Sequence, residues 1–181
     1  MRPALLTAVS LTIAACHAST PASPGDYLFV WAGDSAGKAS DFLAVLDANP
    51  SSPQYGAVVA TLPVGATGTH PHHTEAELSA NGHLLANGFH AGRTWLFDLS
   101  APRQPKILTS FGDLAGFSHP HTYVRLANGH VLATFQYKAD SAAPAPAPPA
   151  DAMAMGATHT TGGLVEMDER GTVIRTGAAR D

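Results

Sequence analysis

The sequence is short of cysteine and of charge, and each shortage excludes a class of protein. A single cysteine among 181 residues rules out an internal disulfide framework and any zinc site built on several thiolates. Charged residues make up only 13% of the chain, and the net charge is −4. Because a nucleic-acid-binding protein needs a basic excess to neutralise phosphates, nucleic acid is not expected as a partner.

Sustained helical periodicity is also missing. The 17 glycines and 14 prolines make a turn-rich chain that does not suit long helices. Apolar residues reach 45%, which is enough to build a sizeable core. Histidine is the residue in excess, since the ten histidines equal lysine and arginine together.

The first residues are predicted to be an export signal rather than part of the fold. Residues 4–15 form an uncharged apolar stretch that is too short to span a bilayer. It ends in Ile13-Ala14-Ala15-Cys16, which resembles the lipobox of bacterial lipoproteins; the alternative is an ordinary signal peptide cut near Ala18. We expect a signal peptide over residues 1–16 with lipidation at Cys16, then a tether over residues 17–25. The protein is then exported, either periplasmic or held to the outer membrane of a bacterium by its lipid anchor.

A second low-complexity stretch, residues 140–161, alternates alanine and proline. Such a composition favours extended conformations and has little to pack. Because strand-like sequence resumes directly after it, we interpret it as an insertion within a domain of residues 26–181. Met153, Met155 and His159 are of types that bind copper, but we interpret their presence in this stretch as chance.

The most informative structural signal is an internal repeat. An Asn-Gly-His-aliphatic-Leu-Ala block begins at Asn81 and again at Asn128, 47 residues later. A His-Thr pair recurs between His73 and His121 after 48 residues. Asn-Gly is a strong turn dipeptide between strands, so each unit predicts three or four short antiparallel strands.

Units of this length are typical of β-propeller blades, so the predicted fold class is all-β, a partial β-propeller. A β-sandwich also has short strands and turns, but it does not repeat at residue level about every 48 residues. Without leader and insertion the chain supplies about three blades, whereas propellers close with roughly four to eight. We therefore expect a truncated chain, and we assign no catalytic residue.

The histidines recur at the same phase of the two repeats. His70-Pro71-His72-His73 precedes one repeated block and His119-Pro120-His121 precedes the next. Since the innermost strand of each blade lines the central channel, imidazoles at equivalent positions are expected to converge. Imidazoles with no thiolate and few carboxylates favour zinc, copper, iron or nickel. Side chains alternate along a strand, so we expect only one of His72 and His73 to reach the channel if the strand has begun.

Other residues near these segments are weaker ligand candidates. His70, His119 and Glu75 are secondary ligand candidates, and Glu75 would ligate directly or orient a ligating histidine. The two histidines that follow the Asn-Gly turns, His83 and His130, are expected on solvent or packing faces. His90, in a connecting turn, is not assigned. The alternative for the whole set is that the His-Pro segments only form turns between strands.

Four segments follow one another in an order known from one family. They are residues 41–62, His72 to Glu75, Arg93 to Asp98 with Pro102 to Ile107, and His121 to Gly129. This series resembles the amino-terminal third to half of the selenium-binding protein and methanethiol oxidase family. The resemblance covers roughly residues 27–135 and resumes over 163–177, and its most specific part is the run from Asp47 to Gly56 followed by the His-His pair.

The resemblance implies a seven-bladed β-propeller, with copper bound by histidine in the bacterial thiol-oxidising members. Those members oxidise methanethiol with O₂ to formaldehyde, hydrogen sulfide and hydrogen peroxide. Carried over by position, His72, His73 and His121 are the candidate copper ligands, and the resemblance implies a small thiol as substrate, which could differ from methanethiol in this divergent chain. The selenium-linked cysteine of the family falls at Gly56, so selenium binding through that thiol is not available here.

Two other functions stay open beside the thiol oxidase. One is a non-catalytic propeller lipoprotein that binds a metal, a small ligand or a partner, since propellers host many unrelated functions. The other is an inactive remnant of the family. Further histidines at the same phase in additional blades would favour the oxidase.

Overall fold

The computed structural model describes residues 24–138 and 161–179. Residues 1–23 lie outside this part, and with them the predicted signal peptide, Cys16 and most of the tether. Residues 139–160 also lie outside, and with them most of the predicted insertion, including its two methionines and its histidine. The predictions for these segments stay predictions. Within the described part, no helix has the length and apolar character needed to cross a membrane.

The described residues confirm the all-β prediction, with three antiparallel sheets and no α-helix among them. A single turn of 3-10 helix, Pro24–Asp26, comes first. The strands are β1 (Tyr27–Ala32), β2 (Phe42–Asp47), β3 (Val58–Pro63), β4 (Pro71–Thr74), β5 (His83–Gly88), β6 (Arg93–Asp98), β7 (Lys106–Phe111), β8 (Phe117–Arg125), β9 (Val131–Lys138), β10 (Gly163–Met167) and β11 (Val173–Ala178). The first sheet is β1-β2-β3, the second is β4-β5-β6-β7 and the third is β8-β9-β10-β11.

The middle of the second sheet is covered on both faces, which explains why β5 and β6 contain continuous apolar runs. Side chains alternate along β5, so Leu84 and Ala86 join an apolar cluster with Leu43 of the first sheet. Leu85, between them, belongs to a different cluster that includes Val131 and other residues of the third sheet. The core therefore lies in two layers, one on each side of the second sheet.

The first strands of the three sheets lie side by side, because β4 contacts both β1 and β8. Each of these strands is the first of its sheet in chain order. The segments that precede the repeated Asn-Gly blocks, on β4 and β8, therefore lie in one region. This arrangement brings the histidine-bearing segments of β4 and β8 together.

Candidate metal centre

Three histidines from two sheets form the candidate site. His72 and His73 on β4 and His121 on β8 each offer a ring nitrogen, and these nitrogens lie within 4.8 Å of one another. The ring centroids of His73 lie 4.3 Å from those of both His72 and His121. Two imidazole nitrogens on one tetrahedral ion lie roughly 3.3 Å apart. Nitrogens that lie as far apart as 4.8 Å would therefore have to approach by up to about 1.5 Å before all three bind one ion.

A β-bulge explains why two adjacent histidines reach the same place. From Pro71 to Thr74 the chain advances three residues on β4, while the paired stretch of β5 advances two. The extra residue interrupts the regular alternation of side chains. The expectation that only one of His72 and His73 reaches the site is therefore wrong, because the strand is irregular at these two residues.

The third sheet repeats this bulge at His121. Over the corresponding stretch β8 advances three residues while β9 advances two. The strand pairing makes His121 equivalent to His72, and Thr122 equivalent to His73. The His-Thr pairs matched in the sequence are therefore one residue out of structural register. The third sheet supplies one imidazole where the second supplies two.

A left-handed residue precedes both bulges. His70 has φ 56° and His119 has φ 58°, and each is followed by a proline at the start of the distorted stretch. Non-glycine residues rarely adopt this conformation, because it costs energy that the surrounding structure must offset. The same costly conformation at two equivalent positions shows that the turn into the bulge is part of the repeated backbone design.

Asn87 on β5 makes hydrogen bonds to the backbone of both histidine-bearing segments, although no sequence motif marks it. Its side chain is fully buried, its Oδ1 accepts the His73 N–H at 2.6 Å, and its Nδ2 donates to the Pro120 carbonyl at 2.8 Å. Its own carbonyl accepts the Trp31 indole N–H at 2.7 Å. Asn87 thus links all three sheets beside the histidines. The available signal was an amide inside an otherwise apolar strand, since buried polar groups need partners.

Two rings of the cluster have lowered pKa values, which favours the neutral form that binds a cation. Burial lowers the pKa of both His72 and His121, and the neighbouring imidazoles lower it further. Both rings are therefore neutral at pH 7 and keep a lone pair for a metal. The ring of Phe89 lies 5.5 Å from that of His72 and 6.0 Å from that of His121, so an apolar surface borders the site.

Glu75 does not join the cluster. Its Oε1 lies 2.9 Å from the Arg125 Nε, and its Oε2 accepts the Leu85 N–H at 2.8 Å. The carboxylate is buried, and burial raises its pKa although Arg125 acts in the opposite direction. In this structure Glu75 lies outside the three-histidine group and joins the ends of β4 and β8 as an ion-pair partner of Arg125, while its predicted role toward a metal stays a prediction.

The secondary histidines lie at the margin of the three-histidine group. The His70 ring centroid is 5.5 Å from that of His72, and His70 Nδ1 lies 3.1 Å from Nε2 of His90, the histidine left unassigned. The ring of His119 packs at 5.1 Å against Tyr137. Its Nδ1 is buried and has no hydrogen-bond partner among the described residues.

The two histidines after the Asn-Gly turns pair with carboxylates away from the site. His83 Nδ1 lies 3.0 Å from Glu169, and His130 Nδ1 lies 2.7 Å from Glu166. Both rings are half-buried, in agreement with the expectation of packing or solvent-facing positions.

Known proteins similar to this chain carry names related to sulfur and selenium. No family model matches the chain. It is 35% identical over 105 residues to a methanethiol oxidase from Hyphomicrobium sp, covering 55% of this chain and 24% of that protein. It is 30% identical over 107 residues to selenium-binding protein 1 of Arabidopsis thaliana, covering 51% and 22%. The chain thus spans about a quarter of the length of these curated relatives.

One solved structure shares the fold. The X-ray structure of a hypothetical selenium-binding protein from Sulfolobus tokodaii matches with a TM-score of 0.60 and 19% sequence identity. The match covers 84% of this chain and 34% of that one. The three-sheet arrangement described above therefore occurs within a longer protein of related fold.

Proposed function

Because the chain belongs to the family of methanethiol oxidases and selenium-binding proteins, we propose that it is the histidine-bearing part of a copper-dependent thiol oxidase. The observation that carries the proposal is the meeting of His72, His73 and His121 from two sheets. The name of the Hyphomicrobium relative supplies the substrate class, a small thiol.

The architecture proposed for the complete protein is a seven-bladed β-propeller, with each sheet as one blade. The order of strands in each sheet and the contacts of β4 with β1 and β8 support this proposal. The first strand of every blade would then line the axis, and the histidine cluster would lie at the central channel.

The donor set suits copper. Three imidazoles without a carboxylate in the group are typical of copper and zinc rather than magnesium or calcium. Bound copper would lower the pKa of a coordinated thiol and accept its electrons. In this chain His72, His73 and His121 would hold the ion, Asn87 would fix the His73 backbone, and Phe89 would offer an apolar contact to the alkyl group of the thiol.

With methanethiol as substrate, the proposed reaction consumes one thiol, one O₂ and one water. It releases formaldehyde, hydrogen sulfide and hydrogen peroxide, so atoms balance. The carbon loses two electrons, and O₂ gains the two electrons. Gly56, at the position of the family's selenium-linked cysteine, offers no thiol to this chemistry.

The test is copper content and thiol-dependent oxygen uptake of the purified full-length protein. We expect bound copper, O₂ consumption on addition of methanethiol, and hydrogen peroxide as a product. The double variant His72→Ala with His121→Ala should lose both copper and activity, while His83→Ala, which alters a histidine paired with Glu169, should keep both. A copper-free protein, or a fully active double variant, would overturn the proposal.

A metal-binding module without turnover is the second candidate. It requires only the three imidazoles of the group, which would hold a metal without any thiol chemistry. Stoichiometric copper without oxygen uptake in the same experiment would select this function.

A further inference from the structure

We propose that His70 and His90 form a second transition-metal site, separate from the three-histidine cluster. His70 Nδ1 and His90 Nε2 share a hydrogen bond at 3.1 Å, in which one ring nitrogen donates and the other accepts. An ion would take the place of the shared proton. Two nitrogens bound to one ion at about 2.0–2.1 Å lie roughly 2.9–3.4 Å apart for bond angles between 90° and tetrahedral. The pair is thus already at chelating distance, and the nitrogens of the neighbouring three-histidine cluster all lie within 4.8 Å of one another.

The backbone sets this distance. The Phe89 N–H donates to the His70 carbonyl at 2.8 Å, and the His90 N–H donates to the Thr69 carbonyl at 3.0 Å. The turn that carries His90 closes on itself through the Gly92 N–H, which donates to the Phe89 carbonyl at 3.1 Å. Because both ligand-bearing segments are tied together before an ion arrives, binding would cost little further ordering.

The repeat offers an internal comparison for this pair. The strand pairing makes His119 equivalent to His70, and Tyr137 equivalent to His90. The equivalent rings also touch, since His119 and Tyr137 lie 5.1 Å apart between centroids. The repeated backbone therefore brings two rings together in both sheets, but only in the second sheet are both rings imidazoles.

The chemistry of the pair defines its ligand. Imidazole nitrogens bind zinc, copper and nickel, and these ions tolerate two protein ligands with water in the other positions. His90 is exposed, so an ion would reach the pair directly from solvent. With two ligands instead of three, the site should bind more weakly than the cluster and exchange its ion faster. The rings of His70 and His72 are 5.5 Å apart, so the two sites would be neighbours.

The test is titration of the metal-free full-length protein with Zn²⁺ alone, followed by calorimetry and by metal analysis after equilibrium dialysis. We expect a tight and a weaker class of site in the wild type. His90→Ala should lose one ion of the weaker class and keep the tight one, whereas His72→Ala with His121→Ala should lose the tight ion and keep the weaker one. His130→Ala, paired with Glu166, is the matched control and should keep both.

A gain-of-site variant sharpens the test. Tyr137→His restores in the third sheet the ring pair of the second, and it should add one weakly bound Zn²⁺ per chain. The proposal is overturned if His90→Ala binds as many ions as the wild type, or if His90→Ala only weakens a single shared ion. A wild type that binds only the weaker class, and loses it in His90→Ala, would instead refute the copper site proposed above. That result would leave the proposed His70–His90 site intact.

Discussion

The bulges of β4 and β8 have the same backbone conformation and differ in their side chains. In each, a left-handed histidine precedes a proline, and one extra residue then enters the strand. In each, a side chain of the next strand accepts the N–H of the second bulged residue. Asn87 accepts from His73 at 2.6 Å, and Thr134 accepts from Thr122 at 3.0 Å. The scaffold is therefore repeated down to a single hydrogen bond.

The side chains on this scaffold are repeated only in part. The second sheet places imidazoles at both bulged positions and at the paired positions 70 and 90, while the third sheet places threonine and tyrosine at two of the four. The accepting groups differ as well, since Asn87 is buried and Thr134 is exposed. The repeated backbone thus positions the rings, and the residue types at a few positions decide where imidazoles gather.

Removal of the buried acceptor should have the largest effect. Asn87→Ala leaves the His73 N–H and the buried Pro120 carbonyl without partners, which should cost roughly 2–4 kcal/mol of unfolding free energy. Thr134→Ala, its exposed counterpart, should cost under about 1 kcal/mol because water takes over the bond. Urea denaturation measures both losses.

Two outcomes decide this prediction. Equal losses in the two variants would show that burial of the acceptor does not matter. If Asn87→Ala fails to fold, Asn87→Thr, which copies the third sheet and keeps an acceptor for His73, should fold with an intermediate loss.

Making the second bulge resemble the third should weaken metal binding. His73→Thr removes one of three imidazoles without changing the bulge, so copper affinity should fall at least about tenfold, roughly 1.4 kcal/mol. The reciprocal change, Thr122→His, adds an imidazole beside His121 and should not weaken binding. Competition with a chelator measures both, and an unchanged affinity in His73→Thr would remove His73 from the ligand set.

The smallest expected effect is on stability in mild acid. Burial lowers the pKa of His72 and His121 in the folded protein below the ordinary value of 6.5. Just below pH 6.5 the unfolded chain therefore binds more protons than the folded one, so stability falls as the pH decreases from about 6.5. Thermal unfolding of the metal-free protein at pH 7.5 and pH 5.5 measures this loss.

The double variant His72→Gln with His121→Gln is the control for this pH effect. It lacks the two titrating rings, so its stability should decrease less between the two pH values. The raised pKa of Glu75 acts in the opposite direction in both proteins, so the difference between them isolates the histidines. An identical pH dependence would contradict the role of these rings.

Local sequence patterns predicted the strands well. The apolar runs 42–47 and 106–111 match β2 and β7, and each Asn-Gly turn is followed by a strand within two residues. These elements follow from neighbouring residues, since turn dipeptides and β-branched or aromatic runs act over short range. The bulges were not predictable in this way, because an extra residue is defined only against the partner strand.

The pairing of His70 with His90 was not predicted from the sequence, for a related reason. The two residues are 20 positions apart, and the hydrogen bonds that join them run between backbone groups whose partners no local pattern specifies. The role of Asn87 was hidden because it depends on three segments distant in the chain.

An all-β chain of repeated strands, with histidines at one phase of the repeat, follows from short-range turn and strand preferences and from the repeat period. Which imidazoles share a site follows instead from the packing of the sheets. Strand register, the two bulges and the buried Asn87 amide set those distances, and each depends on residues that come into contact only after the sheets have packed.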